Sequence, residues 1–154
     1  MRLTTKGRYA VTAMLDIALH ADAAPVSVLE IASRQDISSA YLEQLVGKLK
    51  RAELLKSTRG PGGGYVLGRS PDAMTISEIV AGVGEGVDAT ACGGKADCQE
   101  GHMCITHNLW VDLSTQIDLF LQRITLASLL ERHQIDRQNI PSLSAADLIE
   151  SVQL

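Results

Sequence analysis

Aromatic residues and long apolar runs are both scarce in this 154-residue chain, and each scarcity restricts the kind of protein it can be. Aromatic side chains make up 3% of the sequence, so the core is expected to consist of Leu, Ile, Val, Ala and Met. No stretch approaches the roughly 18 unbroken apolar residues that a membrane span needs. The sequence therefore predicts a globular protein that does not enter the membrane, with one core or one small domain and an extension.

The N-terminus is basic and then apolar, as in a secretory signal. Arg2, Lys6 and Arg8 precede an apolar stretch that ends in small residues. Asp16 interrupts this stretch, however, and its apolar residues recur at helical spacing. An amphipathic first helix of a cytoplasmic domain is therefore expected.

Charge is unevenly divided along the chain, whose net charge is −4. Residues 1–70 contain 10 basic and 6 acidic side chains, a net +4, whereas residues 71–154 contain 4 and 12, a net −8. A basic N-terminal half beside an acidic C-terminal half indicates a phosphate-facing module joined to a sensing or assembly part. Uneven surface charge without any function gives the same division, so charge alone carries little weight.

The first half of the chain has the helix pattern of a helix–turn–helix. Helical periodicity predicts a first helix over about residues 7–21. A Ser27–Glu30 capping box opens a short second helix, and Ser38 caps a third. Two short helices separated by the turn at residues 35–37 form the helix–turn–helix pattern.

A hairpin and one more helix complete this unit as a winged helix. Two β-prone runs, residues 54–58 and 65–67, flank a Gly-rich tip. A second capping box, Thr75–Glu78, starts a helix that closes the domain near Gly84. The fold class is therefore mainly α, with a winged helix–turn–helix domain at residues 1–84.

The second half begins with a Gly-rich loop and continues into a long helix. Residues 85–104 contain all three cysteines and show no regular period. Apolar residues then recur about every four positions from Ile105 to Ile124, widened by Trp110 and Phe120. One small domain cannot easily cover this stripe, so dimerisation through the helix is favoured over folding back on its own domain.

A short helix and a polar tail are expected at the C-terminus. Thr125 is expected to cap a helix that runs through Leu130, and within the tail residues 145–152 have helical character. The chain is thus divided into a winged helix at 1–84, a metal-cluster loop at 85–104, a dimerisation helix with a short helix at 105–133, and a tail at 134–154.

The start of the third helix carries the groups expected to meet double-stranded DNA. A helix–turn–helix places this part of its second helix in the major groove, and a dimer of such units reads a two-fold operator. Hydroxyl, amide and ammonium groups there suit base edges and phosphates. Glu43 either accepts a hydrogen bond from a cytosine amine, repels poor sites, or is simply solvated. The candidate DNA-binding residues on this helix are Ser38, Ser39, Tyr41, Glu43, Gln44 and Lys48.

Arg59 is the main candidate for groove insertion from the hairpin. An arginine that enters a narrow minor groove gains from the negative potential there. The Gly run after Arg59 could instead cradle a nucleotide phosphate, but Tyr65 and Val66 stand where that motif requires Lys and Ser or Thr. DNA contact is therefore the preferred interpretation.

Cys92, Cys98, Cys104 and His107 form a C-x5-C-x5-C-x2-H arrangement. Thiols that cluster in the loop of an intracellular chain indicate a metal site more often than disulfides. Structural zinc usually uses cysteine pairs two to four residues apart, so this wider spacing favours an iron–sulfur cluster. His102 is a nearby competitor for the histidine position.

Four segments together resemble the winged-helix family of iron–sulfur cluster regulators. They are residues 1–10, the Tyr41–Leu45 segment, the Arg59–Tyr65 segment and the cysteine spacing, and the resemblance covers roughly residues 1–130. It implies a homodimeric repressor or activator that holds one 2Fe–2S cluster per subunit and controls iron–sulfur assembly genes. Cys92, Cys98, Cys104 and His107 match the ligand positions of that family.

The resemblance also implies which residues contact DNA and where this chain departs from the family. Ser38, Tyr41, Gln44 and Arg59 match positions of DNA contact, whereas Ala40 stands where a hydroxyl residue is expected. Sister branches sense nitric oxide or iron with a 4Fe–4S cluster. An iron–sulfur carrier and a cysteine enzyme with His107 as base are further alternatives, although no other catalytic constellation is visible.

Overall fold

The computed structural model describes residues 4–139 of the chain. Six α-helices and one two-stranded sheet are assigned within that range. Their bounds are α1 Thr5–His20, α2 Val28–Gln35, α3 Ser39–Arg51, β1 Leu55–Thr58, β2 Gly64–Leu67, α4 Ile76–Gly82, α5 His107–Gln122 and α6 Leu126–Asn139, with a 3-10 turn at Pro71–Ala73 between β2 and α4. The order of elements confirms a mainly helical fold with a winged helix–turn–helix at its start.

Both predicted capping boxes are present. The Ser27 side chain accepts a hydrogen bond from the Glu30 N–H while the Glu30 carboxylate accepts one from the Ser27 N–H, which starts α2. Thr75 and Glu78 make the same reciprocal pair at α4. Ser38 occupies the N-cap of α3, but its side chain makes no capping bond. The Ser38 hydroxyl therefore remains available for another partner.

The wing is an antiparallel hairpin in which Leu55 pairs with Leu67 and Thr58 with Gly64. Its second strand is also tied to the segment before α2, because Val26 and Tyr65 exchange two backbone hydrogen bonds of 2.9 and 2.7 Å. A side chain at Gly64 would place a Cβ 2.5 Å from the Val26 carbonyl oxygen, so the close approach requires glycine.

The core lies between α1, α3, α4 and the base of the wing. Its members are apolar and almost fully shielded; they include Met14, Ile17, Leu42, Leu45, Leu49, Leu54, Leu55, Met74 and Ile79. Leu126 of α6 joins this core, because Leu126 donates its N–H to the Met74 carbonyl and Ile76 donates to Ile124. The helix after the long helix therefore returns to the winged-helix domain.

One buried charge joins the helices of the helix–turn–helix to α1. The Asp16 side chain is 0% exposed. It accepts three hydrogen bonds from the Arg34 guanidinium, the shortest 2.7 Å, and one of 2.7 Å from Gln35. A buried carboxylate is tolerated only with such partners. This network holds the C-terminal end of α2, and thus the turn before α3, against α1.

In the second half, the start of α5 and the end of α6 differ from the prediction. The long helix begins at His107, two residues later than expected, and α6 continues to Asn139 instead of ending at Leu130. The helix predicted at residues 145–152 lies outside the described residues, as does most of the predicted tail.

Candidate metal centre and nucleic-acid interface

Three of the four predicted metal ligands converge. The Sγ atoms of Cys92 and Cys98 lie 3.4 Å apart. The Nδ1 atom of His107 lies 3.6 Å from the first sulfur and 3.2 Å from the second. These three donor atoms form a compact group, all within 4.8 Å of one another.

His107 is the buried member of this group. Its residue is 6% exposed, and between residues 85 and 125 of the described chain it is the one buried residue. It begins α5, and its backbone N–H donates to the Cys104 carbonyl at 3.1 Å. The helix start therefore fixes the imidazole, while the cysteines are brought to it by the loop.

Two hydrogen bonds to hydroxyl groups shape the loop around the ligands. The Ala89 N–H donates to the Ser114 hydroxyl at 2.8 Å, which ties the loop to α5. The Gly94 N–H donates to the Thr90 hydroxyl at 2.7 Å, and Gly94 has a φ of +78°, a left-handed conformation that glycine adopts without strain. Thr90 and Ser114 were not predicted from the sequence, although Ser114 lies one turn after Trp110 on the predicted helix.

Cys104 lies beside the group rather than within it. Its Sγ atom is 3.7 Å from the Thr106 hydroxyl, and it lines the same open cavity of about 400 Å³ as Cys98 and His107. His102, the competitor histidine, is exposed and pairs its backbone with Gln99 in a tight turn. The structure thus brings together the donor atoms of Cys92, Cys98 and His107, and Cys104 lines the same cavity as Cys98 and His107.

The sulfur atoms influence each other's ionisation. Burial disfavours the Cys92 thiolate, but hydrogen bonds from the Cys98 thiol, the Ala96 N–H and the Thr90 hydroxyl prevail and lower the pKa of Cys92 to about 6. A backbone hydrogen bond from Cys104 favours the Cys98 thiolate, yet burial and the Cys92 sulfur outweigh it and raise the pKa of Cys98. The Thr106 hydroxyl lowers the pKa of Cys104. Thiolates are the form that binds metals.

The donor set suits a soft metal centre. Thiolates and an imidazole are ligands of iron–sulfur clusters and of zinc, whereas carboxylate and carbonyl oxygens suit magnesium and calcium. All three cysteines are free thiols, so no disulfide competes for the sulfur atoms. The residues present therefore fit an iron–sulfur cluster, in which Cys92, Cys98, Cys104 and His107 would serve as ligands.

The start of α3 presents a polar, exposed surface. Ser38, Glu43 and Gln44 are exposed, and Ser39 is partly so. These residues lie on the first turns of the second helix of the helix–turn–helix, the part that enters the major groove in such proteins. Arg59 is exposed at the start of the wing tip, after β1.

Two predicted DNA-contact residues have partners within the protein. The Tyr41 ring is half-buried and packs edge-on against Tyr9, with 5.9 Å between ring centroids. The Lys48 ammonium donates to the Val83 carbonyl at 3.3 Å, at the end of α4. Neither contact was predicted from the sequence, because each joins residues more than 30 positions apart.

The long helix α5 leaves much of its apolar surface uncovered. Exposed large apolar side chains on and beside it include Ile105, Leu109, Trp110, Val111, Leu113, Leu119 and Phe120. Leu109, Leu113 and Phe120 share one side of the helix, here named the outer stripe, and Phe120 is 60% exposed. Among residues 4–139, no helix combines the length and hydropathy needed to cross a membrane.

Comparison with known proteins assigns this architecture to a class. Residues 3–132 match the Rrf2 family, described as iron-dependent transcriptional regulators. The chain belongs to this family. It is a transcription regulator with a DNA-binding helix–turn–helix, and the relatives it matches are regulators rather than enzymes.

Particular relatives narrow the similarity further. The chain is 54% identical over 143 residues to the HTH-type transcriptional regulator IscR of Sodalis glossinidius, covering 90% of this chain and 87% of that protein. It is 54% identical over 144 residues to IscR of Vibrio cholerae, covering 91% and 83%. Among solved structures it is similar to T. potens IscR, with 37% identity, a TM-score of 0.71 and coverage of 86% and 88%. The cysteine regulator CymR of B. subtilis aligns with a TM-score of 0.72 and 33% identity, covering 86% and 98%.

Proposed function

We propose that this protein is a cytoplasmic transcription regulator that senses iron–sulfur cluster supply. The observation that carries the proposal is the convergence of Cys92, Cys98 and His107 beside a helix–turn–helix domain. The iron-dependent description of the family supports it. The genes controlled would be those of iron–sulfur cluster assembly, by repression or activation according to the promoter.

The cofactor would be one 2Fe–2S cluster per subunit, held by Cys92, Cys98, Cys104 and His107. When bound, such a cluster supplies a centre whose presence depends on cellular iron and sulfide. A histidine ligand raises its reduction potential relative to an all-cysteine cluster and makes binding sensitive to protonation. Cys104 lines the same cavity as Cys98 and His107, so a small movement of the loop would complete the set.

The macromolecular partner would be double-stranded DNA with a two-fold operator, which a homodimer would bind. The candidate contacts are Ser38, Ser39, Tyr41, Glu43, Gln44, Lys48 and Arg59. Exposure of the outer stripe supports dimerisation through α5, because large apolar side chains on a helix are usually covered. Two identical units related by two-fold symmetry then match the symmetry of the operator.

The chain's own bonds provide a route for sensing. The loop carries the three cysteine ligands and is tied to α5 through Ala89 and Ser114, while His107 begins that helix. Ligation at all four positions would restrict the loop and the helix start together. A restraint that favours one arrangement of the dimer shifts the population of DNA-binding conformations.

Iron and sulfide analysis with an anaerobic absorption spectrum tests the cofactor. We expect visible bands and about two irons and two sulfides per chain, as a 2Fe–2S centre requires. His107→Ala should change the spectrum, whereas His102→Ala, a nearby exposed histidine, should not. A colourless zinc protein, or four irons per chain with an unchanged His107→Ala spectrum, would contradict the proposed cofactor; the latter matches a nitric oxide or iron sensor.

DNA binding separates the regulator from an iron–sulfur carrier. The regulator should bind selected duplexes with strong salt dependence and retain its cluster in the presence of an apo-ferredoxin acceptor. Rapid transfer of the cluster to the acceptor, together with no salt-dependent binding of DNA, would identify a carrier instead.

A further inference from the structure

The end of α4 is the root of the cluster loop, and three side chains from elsewhere in the domain hold it. We name residues 83–85 the loop root. Here the Gly84 N–H donates to the Ala81 carbonyl and the Glu85 N–H to the Val80 carbonyl, the paired bonds of a Schellman motif. Gly84 has a φ of +75°, as this motif requires. The chain then leaves the winged-helix domain toward Cys92.

Side chains at the start of α1 bind the Glu85 carboxylate of the loop root. Glu85 accepts a hydrogen bond of 2.6 Å from the Thr4 hydroxyl and one of 3.1 Å from the Lys6 ammonium. The side chains of Lys6 and Glu85 are only 24% and 17% exposed. The ion pair is therefore partly shielded from solvent, so salt screens it less than a fully exposed surface pair.

The recognition helix α3 binds the same loop root through Lys48. Its ammonium donates to the Val83 carbonyl, an oxygen that helix α4 leaves without an intrahelical partner at its end. The Lys6 ammonium lowers the pKa of Lys48, while the hydrogen bond to Glu85 raises the pKa of Lys6. Glu85 thus neutralises part of a local excess of positive charge.

These contacts join the two functional parts of the molecule. One end of the connection is the helix that presents Ser39 and Gln44, and the other is the segment from which the ligand loop departs. We propose that Lys48 is a positioning residue that transmits the state of the cluster loop to α3 through the Val83 carbonyl. The proposal rests on the cluster-sensing function proposed above.

Lys48→Met tests the coupling, because it removes the ammonium and keeps an apolar side chain of similar length. Lys50→Met is the matched control, since Lys50 is exposed on the same helix. The probe is a duplex selected from random-sequence DNA with the cluster-loaded native protein. Its dissociation constant is measured for the loaded and the cluster-free form of each protein, at several salt concentrations.

We expect the ratio of the two dissociation constants in Lys48→Met to move toward one by about 2- to 30-fold, the range found for residues that couple two sites. Lys50→Met should leave the ratio unchanged. Amide hydrogen exchange of the cluster-free protein supplies an independent measurement. The Gly84 and Glu85 amides should exchange faster in Lys48→Met than in the native protein.

If a phosphate contact were the sole role of Lys48, the ratio would not change. Lys48→Met would then weaken DNA binding by the cluster-loaded and the cluster-free form by the same factor. It would also lower the slope of the logarithm of the binding constant against the logarithm of the salt concentration by about one. That result, or unchanged exchange at the loop root, would overturn the proposal. If the cluster-loaded and cluster-free forms of the native protein bind DNA equally, the proposed sensing function is wrong as well. Amide hydrogen exchange then shows by itself whether Lys48 restrains the loop root.

Glu85→Gln provides a second variant if Lys48→Met does not fold. It keeps the size of the side chain and the Thr4 hydrogen bond but removes the charge that neutralises Lys6. We expect the same movement of the ratio toward one. A native ratio in a folded Glu85→Gln protein would contradict coupling through the loop root.

Discussion

The winged-helix unit and the segment of residues 85–125 are built in different ways. The first contains nearly all of the core, and its one fully buried carboxylate, Asp16, has four hydrogen bonds from side chains. The second buries one residue, His107, and exposes a row of large apolar side chains on α5. The first region therefore carries its own stabilising contacts, whereas the second lacks them within one chain.

This contrast indicates that residues 85–125 depend on binding partners for stabilising contacts. In the proposed function, a cluster held by His107 and the cysteines and a second copy of the chain on the outer stripe would supply the contacts that one chain lacks. A segment with few internal contacts has a low cost of rearrangement, so its conformation responds to whatever binds it. A stable reader joined to a responsive segment is a suitable architecture for a sensor.

Removing the cysteine ligands should have the largest effect and should fall on one region only. We expect Cys92→Ala together with Cys98→Ala to abolish the visible absorption of the cluster completely. The far-UV circular dichroism of the cluster-free protein should stay native, because the loop contributes no core residue. Loss of helical structure in the cluster-free variant would show that the two regions are not independent.

A core substitution should instead destabilise the winged-helix unit. Leu45 of α3 packs into the core and is 1% exposed. Leu45→Ala should lower the free energy of unfolding by about 2–5 kcal/mol, through lost burial and a residual cavity. Urea unfolding of the cluster-free protein measures this change. A loss below about 0.5 kcal/mol, the size of a typical surface effect, would contradict the assignment of the core.

Charge on the outer stripe should dissociate the dimer without damaging the core. Phe120→Asp places a carboxylate at a side chain that is 60% exposed in one chain. We expect the dimer dissociation constant to rise by at least about 30-fold, corresponding to the roughly 2 kcal/mol of an interface hot spot. Sedimentation measures the change, with Thr115→Asp as the control on another side of α5. Equal effects of both variants would place the interface elsewhere.

Acid should weaken the winged-helix unit through Asp16. Burial alone would raise the pKa of Asp16, but hydrogen bonds from Arg34 and Gln35 prevail and lower it below 3.8. The carboxylate therefore contributes stability that is complete above the pKa of an unfolded Asp and is lost as pH falls through the lower native pKa. Asp16→Asn should reduce this acid dependence in urea unfolding at pH 2–5. An unchanged slope in the variant would assign the dependence to other carboxyl groups.

Local signals in the sequence predicted much of the first region. The capping boxes at Ser27 and Thr75 fix helix starts through bonds three residues apart, which a sequence pattern contains. The hairpin was indicated by its Gly-rich tip. Ser38 shows the limit of such patterns, because its position at the helix start is right but its hydroxyl makes no capping bond.

Contacts between distant residues were beyond the sequence patterns. The Asp16–Arg34 pair, the Val26–Tyr65 bridge and the Lys48–Val83 bond depend on how whole helices pack. At the candidate site, cysteine spacing identified the residues that could bind metal. The spacing did not show that Cys104 lies outside the compact group of donor atoms, because loop conformation depends on bonds such as the one between Gly94 and Thr90.

The most direct test of the central claim is the DNA affinity of the native protein with and without its cluster. Two sets of duplexes would be selected from random-sequence DNA, one with each form, and both forms measured on both sets at the same salt concentration. A cluster sensor should show affinities that differ by about 5- to 150-fold on at least one set, the usual range of allosteric coupling. Equal affinities of the two forms on every duplex would contradict the claim that the cluster controls DNA binding.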